Sequence, residues 1–181
     1  MIPVALIRGS ARASGWTRKL ADALCRLAPA ELELRDLAIA DLPLYQEELE
    51  LPEPPAAWAR FRAELRACRA VLFVTPEYNR SMPAALKNAI DIGSSPDDCS
   101  VWAAKPGAIA SHSPGMLGGF GANHHLRQAL VFLNVPVLQQ PELYLCRSDE
   151  QFDATGELRD PRVRELLADF MIAVGNWIQR F

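Results

Sequence analysis

Along the chain the apolar positions switch between the two-residue repeat of a strand and the three-to-four-residue repeat of a helix. Residues 2–8 are a short apolar run that stops at Gly9-Ser10, and Trp16, Leu20, Leu24 and Leu27 then recur at helical spacing up to Ala28. This reads as strand, loop and helix. Residues 31–37 alternate with period two, the pattern of a strand near a sheet edge. The stretch from Asp41 to Pro55 holds Pro43, Pro52, Pro54 and Pro55, which excludes a regular helix, and connections of this length are often functional. Trp58, Phe61, Leu65 and Cys68 share one helical face, and residues 70–75 form the continuous apolar run of a strand covered on both sides.

The alternation continues to the last residue. Ser81-Met82-Pro83 opens a helix, with a hydroxyl near the cap position and proline in the first turn. Lys105 to Ser111 is the next strand, a Gly-rich loop follows, and Leu126, Leu130 and Leu133 lie on one face of the helix after it. Residues 135–146 hold a proline-interrupted fifth strand. Asp160-Pro161 starts a long helix whose stripe runs through Val163, Leu166, Leu167, Phe170, Val174, Trp177 and Ile178. Strands alternating with helices and no repeat or linker predict one α/β domain over residues 1–181, a doubly wound five-stranded parallel sheet with helices on both faces.

Composition narrows the class of partner. With 19 Lys and Arg against 22 Asp and Glu the net charge is −3, so there is no basic excess to hold a nucleic-acid backbone. No apolar run reaches the ~18 residues of a membrane span, and Met1 to Ile7, with no basic segment before it, reads as a strand and not a signal peptide. Nucleic acid and membrane are excluded as expected partners. Cys25, Cys68, Cys99 and Cys146 form no C-x-x-C pair and have no histidine at zinc-finger spacing, so no metal is assigned. Cys25 and Cys68 fall on the apolar side of predicted helices, and a reducing cytoplasm fits best.

In an open α/β sheet, ligands sit outside the carboxyl ends of the strands, so the loops after strands one, three and four carry the chemistry. The first, Gly9 to Arg18, joins flexible backbone, the hydroxyls of Ser10, Ser14 and Thr17, and two guanidinium groups directly before a helix N-terminus. Backbone N–H groups, a favourable dipole end and charge-assisted donors are what an anion requires, and Arg12 among three hydroxyls favours that role over simple turn and cap duties. The loop is neither G-x-G-x-x-G nor G-x-x-x-x-G-K-[ST], which makes a monophosphate the simpler ligand. The second loop, Pro76-Glu77-Tyr78-Asn79, offers an aromatic face and backbone donors to a planar heterocycle, although Asn79 also suits a plain turn and Tyr78 a surface aromatic. The third, Ser111 to Gly121, is glycine-rich enough for close backbone approach. His112, His124 and His125 have no Asp, Glu or Cys at ligand spacing and are expected to be surface or interface groups; a G-x-S-x-G elbow is absent, which removes a serine hydrolase.

Gly9-Ser10-x-Arg12, Thr75-Pro76-Glu77-Tyr78-Asn79, Leu86-Lys87-Asn88-Ala89-Ile90-Asp91, Lys105-Pro106, Gly118-Gly119 and His125-Leu126-Arg127-Gln128 together resemble the NAD(P)H-dependent FMN reductase family, most of all its quinone, chromate and azo-dye reductase branch. The resemblance spans nearly the whole chain. It implies a flavodoxin-like fold with strand order 2-1-3-4-5 and a non-covalent FMN. The first loop would hold the phosphate through Ser10, Arg12, Ser14, Gly15, Trp16 and Thr17. The ring would lie against Pro76, Glu77, Tyr78 and Asn79 and against Ser111, Ser113, Gly115 and Gly118. Gly15 and Thr17 stand where the family usually has Ser and Asn, which implies altered phosphate partners, and Gly121 stands where many relatives have Arg. The resemblance implies a homodimer, for which segment 41–55 with Leu44 and Tyr45 and the helix after Gly121 could supply contacts, and a tetramer built through that Arg is not carried over.

The expected function is an oxidoreductase that takes hydride from NADPH or NADH and reduces a quinone, azo compound, chromate or free flavin. The cofactor carries such chemistry, so no side chain is assigned as catalytic. Two readings compete: a flavodoxin-type FMN electron carrier without a nicotinamide site, and an FMN-free interaction domain on the same fold.

Overall fold

The computed structural model describes residues 1–96 and 99–181. Its strands are β1 (Ile2–Arg8), β2 (Leu32–Asp36), β3 (Ala70–Pro76), β4 (Gly107–His112) and β5 (Leu143–Leu145), and its helices α1 (Trp16–Leu27), α2 (Ala56–Arg66), α3 (Ala84–Ser94), α4 (Phe120–Phe132) and α5 (Pro161–Ile178). The strands pair in parallel in the order β2-β1-β3-β4-β5, the expected doubly wound sheet.

Strand alternation divides the core in two. Val4 and Leu6 of β1 with Leu72 and Val74 of β3 face α1 and α5, where Leu20, Leu24, Phe170 and Val174 close the layer. Ala5, Ile7, Val71 and Phe73 face the other way, toward Trp58, Phe61 and Leu65 of α2, Leu86 of α3 and Leu126 and Leu130 of α4. Burying each of these large side chains contributes ~1.5–3 kcal/mol, which fixes the central strands in register. Parallel pairing then sets Thr75 opposite Ser111 and Pro76 opposite His112, so β3 and β4 end at one level. The Gly9 N–H bonds to Val74 O at 2.8 Å, which brings the loop after β1 to the same end.

Three readings change in the structure. The fifth strand is split: Leu138 N–H bonds to Gly107 O at 2.8 Å and Gly107 N–H to Pro136 O at 3.0 Å, the chain leaves the sheet, and it pairs again only at Leu143–Leu145. Pro136 and Pro141 have no N–H to give the ladder. Ser81 does not cap α3, whose N-cap is Pro83 without a side-chain bond; its hydroxyl lies 2.6 Å from His125 Nδ1. Cys25 lies on the exposed side of α1, whereas Cys68 is buried, and burial pushes the Cys68 thiol up. No described helix is long and apolar enough to cross a membrane.

The Pro-rich segment 41–55 carries one short 3-10 turn at Glu47–Glu50 and is otherwise pinned by Asn88. Asn88 Oδ1 accepts the Tyr45 N–H at 2.8 Å, while its amide donates to Leu42 O and Pro43 O. Tyr45 stacks on Trp58, ring centroids 5.4 Å apart, and leaves Leu44 and Leu51 exposed.

Candidate functional site

Strand order reverses between β1 and β3, and a cavity of ≈ 270 Å³ opens there, at the carboxyl ends of the strands. Ser10, Arg12, Gly15, Trp16, Thr17, Pro76, Glu77, Tyr78, His112, Ser113 and Pro114 line it. A larger recess of ≈ 680 Å³ lies between the 41–55 segment and the end of α3, and two pairs of its polar side chains are engaged with each other. There Arg62 is held by Glu50 at 2.5 Å, and the Tyr45 hydroxyl lies 2.6 Å from Ser95 Oγ.

At the strand-end cavity the donors remain open. Gly15 is the N-cap of α1 and has no side chain to cap it. Arg18 and Lys19 donate to Gly15 O, while the N–H groups of Trp16 and Thr17, at the positive end of the helix dipole, have no partner among the described residues. The Arg12 backbone N–H donates weakly to Ser10 Oγ at 3.4 Å, and its guanidinium forms no ion pair among the described residues. A Cβ at Gly15 would come 3.1 Å from the Arg12 Cβ, so the glycine lets the loop fold back tightly over the helix end. Trp16 forms a fixed wall, stacked on Phe152 at 6.4 Å with the Lys19 ammonium 4.6 Å from its ring. Opposite, the Tyr78 hydroxyl reaches within 3.4 Å of Ser10 Oγ.

Not every expected contact faces the cavity. Asn79 is exposed at φ 51° and Arg80 follows at φ 66°, a two-residue turn closed by two Tyr78–Ser81 backbone bonds of 3.0 Å. Positive φ at both central residues defines that turn, so Asn79 is where its conformation places it, outside the cavity lining. Ser14 is exposed and also outside the lining. Ser111 is fully buried: its hydroxyl donates toward Gly118 O at 2.9 Å and accepts from Asn123 Nδ2 at 3.2 Å. Gly118, at φ +57°, presses on Tyr144, where a Cβ would lie 2.6 Å from the backbone carbon. Gly115 is exposed and accepts the Arg147 N–H at 3.1 Å. These three shape the loop and do not line the cavity.

Glu77 does line it and also ties two elements together. One carboxylate oxygen accepts the Ala122 N–H in the first turn of α4 at 3.2 Å, and the other lies 3.3 Å from Arg80. The negative charge thus sits at the favourable end of α4. Gly121 belongs to this junction, since a Cβ there would fall 2.8 Å from Arg80 O and 3.0 Å from the Glu77 carboxylate.

His112 departs from expectation. It was read as a surface or interface group, as His124 and His125 indeed are, yet it is 4% exposed at the end of β4. Its Nε2 lies 2.8 Å from Thr17 Oγ1 and its Nδ1 3.2 Å from the buried Ser148 Oγ. Burial without a charged partner pushes its pKa down to about 4. The sequence signal for it was available: His112 closes the apolar run 107–112, and a residue at the end of a doubly covered strand is inside the site.

Residues 2–150 match the family model described as NADPH-dependent FMN reductase. The chain belongs to the NADPH-dependent FMN reductase family. Among relatives of this family member, a quinone reductase of Pseudomonas putida is 51% identical over 97% of the chain and 94% of its own length. An NAD(P)H-dependent FMN reductase of Pseudomonas aeruginosa is 39% identical over 99% and 96%. Among solved structures, a flavoenzyme NAD(P)H:(acceptor) oxidoreductase from Paracoccus denitrificans superposes with a TM-score of 0.93 at 34% identity, covering 99% of this chain and 98% of that one.

The buried histidine gives this reductase-family protein a signed pH dependence. The unfolded His112 titrates near 6.5 and the folded one near 4, so between these values the unfolded state binds the extra proton and stability falls as pH falls. Urea denaturation from pH 7.5 to 4 should show this as a slope of at most ~1.4 kcal/mol per pH unit, and His112→Gln should remove that share of it. Identical slopes in both proteins would show that His112 does not titrate in this window.

Proposed function

We propose that this protein is an FMN-dependent oxidoreductase that takes hydride from NADPH or NADH and passes electrons to a quinone. The observation that carries the reading is the uncapped N-terminus of α1, with Arg12, Ser10 and Thr17 around it, at one end of a slot walled by Trp16, Pro76 and Tyr78. The donor set fits a phosphate monoester, and the walls fit a flat ring. Arg12 and the Trp16 and Thr17 N–H groups would hold the phosphate, while Pro76 and the half-exposed Tyr78 border the ring and leave one side open to donor and acceptor. When bound, FMN supplies the hydride and electron chemistry; the chain positions it. Quinone is the acceptor class because the relative at 51% identity over 97% of the chain is a quinone reductase. The named nicotinamide-dependent relatives also favour an enzyme over a flavodoxin-type carrier.

The assembly we infer is a homodimer. Phe132 and Val131, adjacent at the end of α4, are 90% and 75% exposed, and Leu44 and Leu51 add apolar surface on the Pro-rich segment. The four cysteines form no disulfide, which suits a reducing cytoplasm.

The protein should bind FMN at one per chain, and anaerobic NADPH or NADH should bleach the flavin band, with a quinone restoring it and steady-state kinetics of the ping-pong type. A bound flavin that both nicotinamides leave oxidised would establish the carrier instead, and failure to bind FMN would remove the flavin altogether. Arg12→Ala should weaken FMN binding ~10- to 150-fold, the range for a hydrogen bond to a charged group, with an unchanged far-ultraviolet circular dichroism spectrum. Equal affinities would take Arg12 out of the site. Light scattering should give twice the 20.0 kDa chain mass, and a monomer at micromolar concentration would refute the dimer.

A further inference from the structure

The phosphate end of the cavity contains a chain of polar groups that reaches from the surface of the site into the core. Thr17, in the first turn of α1, is 2% exposed and lines the cavity, and its hydroxyl meets His112 Nε2 at 2.8 Å. The other ring nitrogen of His112 meets the hydroxyl of Ser148, itself fully buried, at 3.2 Å. Ser148 is fixed in turn by its backbone N–H, which donates to Ser113 O at 3.0 Å. The backbone that carries the ring is held firmly. Main-chain pairing places His112 between Pro76 and Leu145, and the left-handed Gly119 packs so tightly that a Cβ there would sit 3.0 Å from the His112 backbone nitrogen and oxygen.

A threonine hydroxyl has one proton to give, and a neutral imidazole has one N–H and one lone pair. In one tautomer Thr17 gives its proton to Nε2 and shows only lone pairs to the cavity, where an anion would be repelled. In the other, Nε2–H donates to Thr17 Oγ1, Ser148 donates to Nδ1, and the Thr17 proton is free to point at an anion. Burial keeps the ring neutral near pH 7, so these two arrangements are the choice.

We propose that His112 is a positioning residue: through Nε2–H it orients the Thr17 hydroxyl as a donor to the phosphate of the cavity's ligand, and so makes the site prefer a flavin phosphate to the same flavin without it. This rests on the reading of the cavity as an FMN site.

Titration with FMN and with riboflavin, which differ only in the phosphate, tests it. His112→Phe should weaken FMN binding ~3- to 10-fold, the scale of one net hydrogen bond, and leave riboflavin binding unchanged. In a Thr17→Val background the same substitution should have no further effect on FMN, because the group through which His112 acts is gone. His112→Gln, which keeps an N–H donor, should retain most of the discrimination. Equal loss of FMN and riboflavin would assign His112 a structural role only, and an effect that persists without Thr17 would show that it acts independently. Both overturn the proposal. Independent of any variant's folding, nitrogen-15 spectra of the wild-type protein with FMN should show His112 as the Nε2–H tautomer, its signal distinguished with His124→Gln and His125→Gln. The Nδ1–H tautomer would overturn the proposal. Wild type that binds riboflavin and FMN equally well defeats the phosphate preference alone, whereas wild type that binds neither defeats the flavin reading with it.

Discussion

The site depends on the absence of a side-chain cap at the start of α1. Gly15 leaves the Trp16 and Thr17 N–H groups without an acceptor, and no carboxylate neutralises the adjacent Arg12, among the described residues. Many helices satisfy these donors with a Ser, Thr, Asp or Asn at the cap, a contribution of ~1 kcal/mol that α1 forgoes, as α2, α3 and α4 do with Pro55, Pro83 and Gly119 at their caps. At α5 the same chain uses Asp160, whose carboxylate accepts the Arg162 N–H at 2.9 Å. The contrast is one of position: α5 is completed by its own Asp160, whereas α1 starts at the strand-end cavity and leaves its first donors to the anion proposed above.

Around that opening, polar side chains are spent on construction. Glu77 joins the turn after β3 to the N-terminus of α4, Ser81 reaches His125 across the same gap, and Ser111 holds Gly118 against the β4 edge. The first two tie the turn after β3 to α4, and the third closes the loop after β4 onto its own strand. Loops with such cross-links lose less freedom when a ligand arrives, and the ordering cost of binding is correspondingly lower. The side chains nearest the ligand are therefore few because their neighbours hold the frame.

The fold was legible because its signals are local. Period-two alternation in 31–37, the unbroken run 70–75 and the helical stripes at Trp58 and Val163 each report which face of one element is buried, and a sheet with those faces has few arrangements. The first loop was legible for a related reason, since hydroxyls and Arg12 before a helix start form a continuous stretch. What sequence alone could not convey was direction and distance. Asn79 and Ser111 stand in the right loops, but the positive φ of the Tyr78–Ser81 turn sends one outward and strand parity sends the other into the core. The fifth strand is split because Pro136 and Pro141 have no N–H to give the ladder, and Cys25 lies one helical step off the face assigned to it. His112 was missed because its partners, Thr17 and Ser148, lie 95 and 36 residues away along the chain.

The two side chains assigned to the phosphate work over different ranges. Arg12 is exposed, so its charge acts through solvent and is screened over a Debye length of ~8 Å at physiological salt. In the proposed role it would draw an anion toward the mouth of the cavity and favour many anions alike. Thr17 is buried, and a hydroxyl there acts only at contact, on an oxygen at hydrogen-bond distance and in the right direction. Its contribution is insensitive to salt and sensitive to geometry, which places discrimination with the residue that carries no charge. A neutral histidine behind that hydroxyl suits the arrangement better than a cation would. A permanent charge at His112 would raise affinity for any anion and would carry a desolvation cost of several kcal/mol in the empty protein, whereas a neutral ring orients one proton at the cost of a single hydrogen bond.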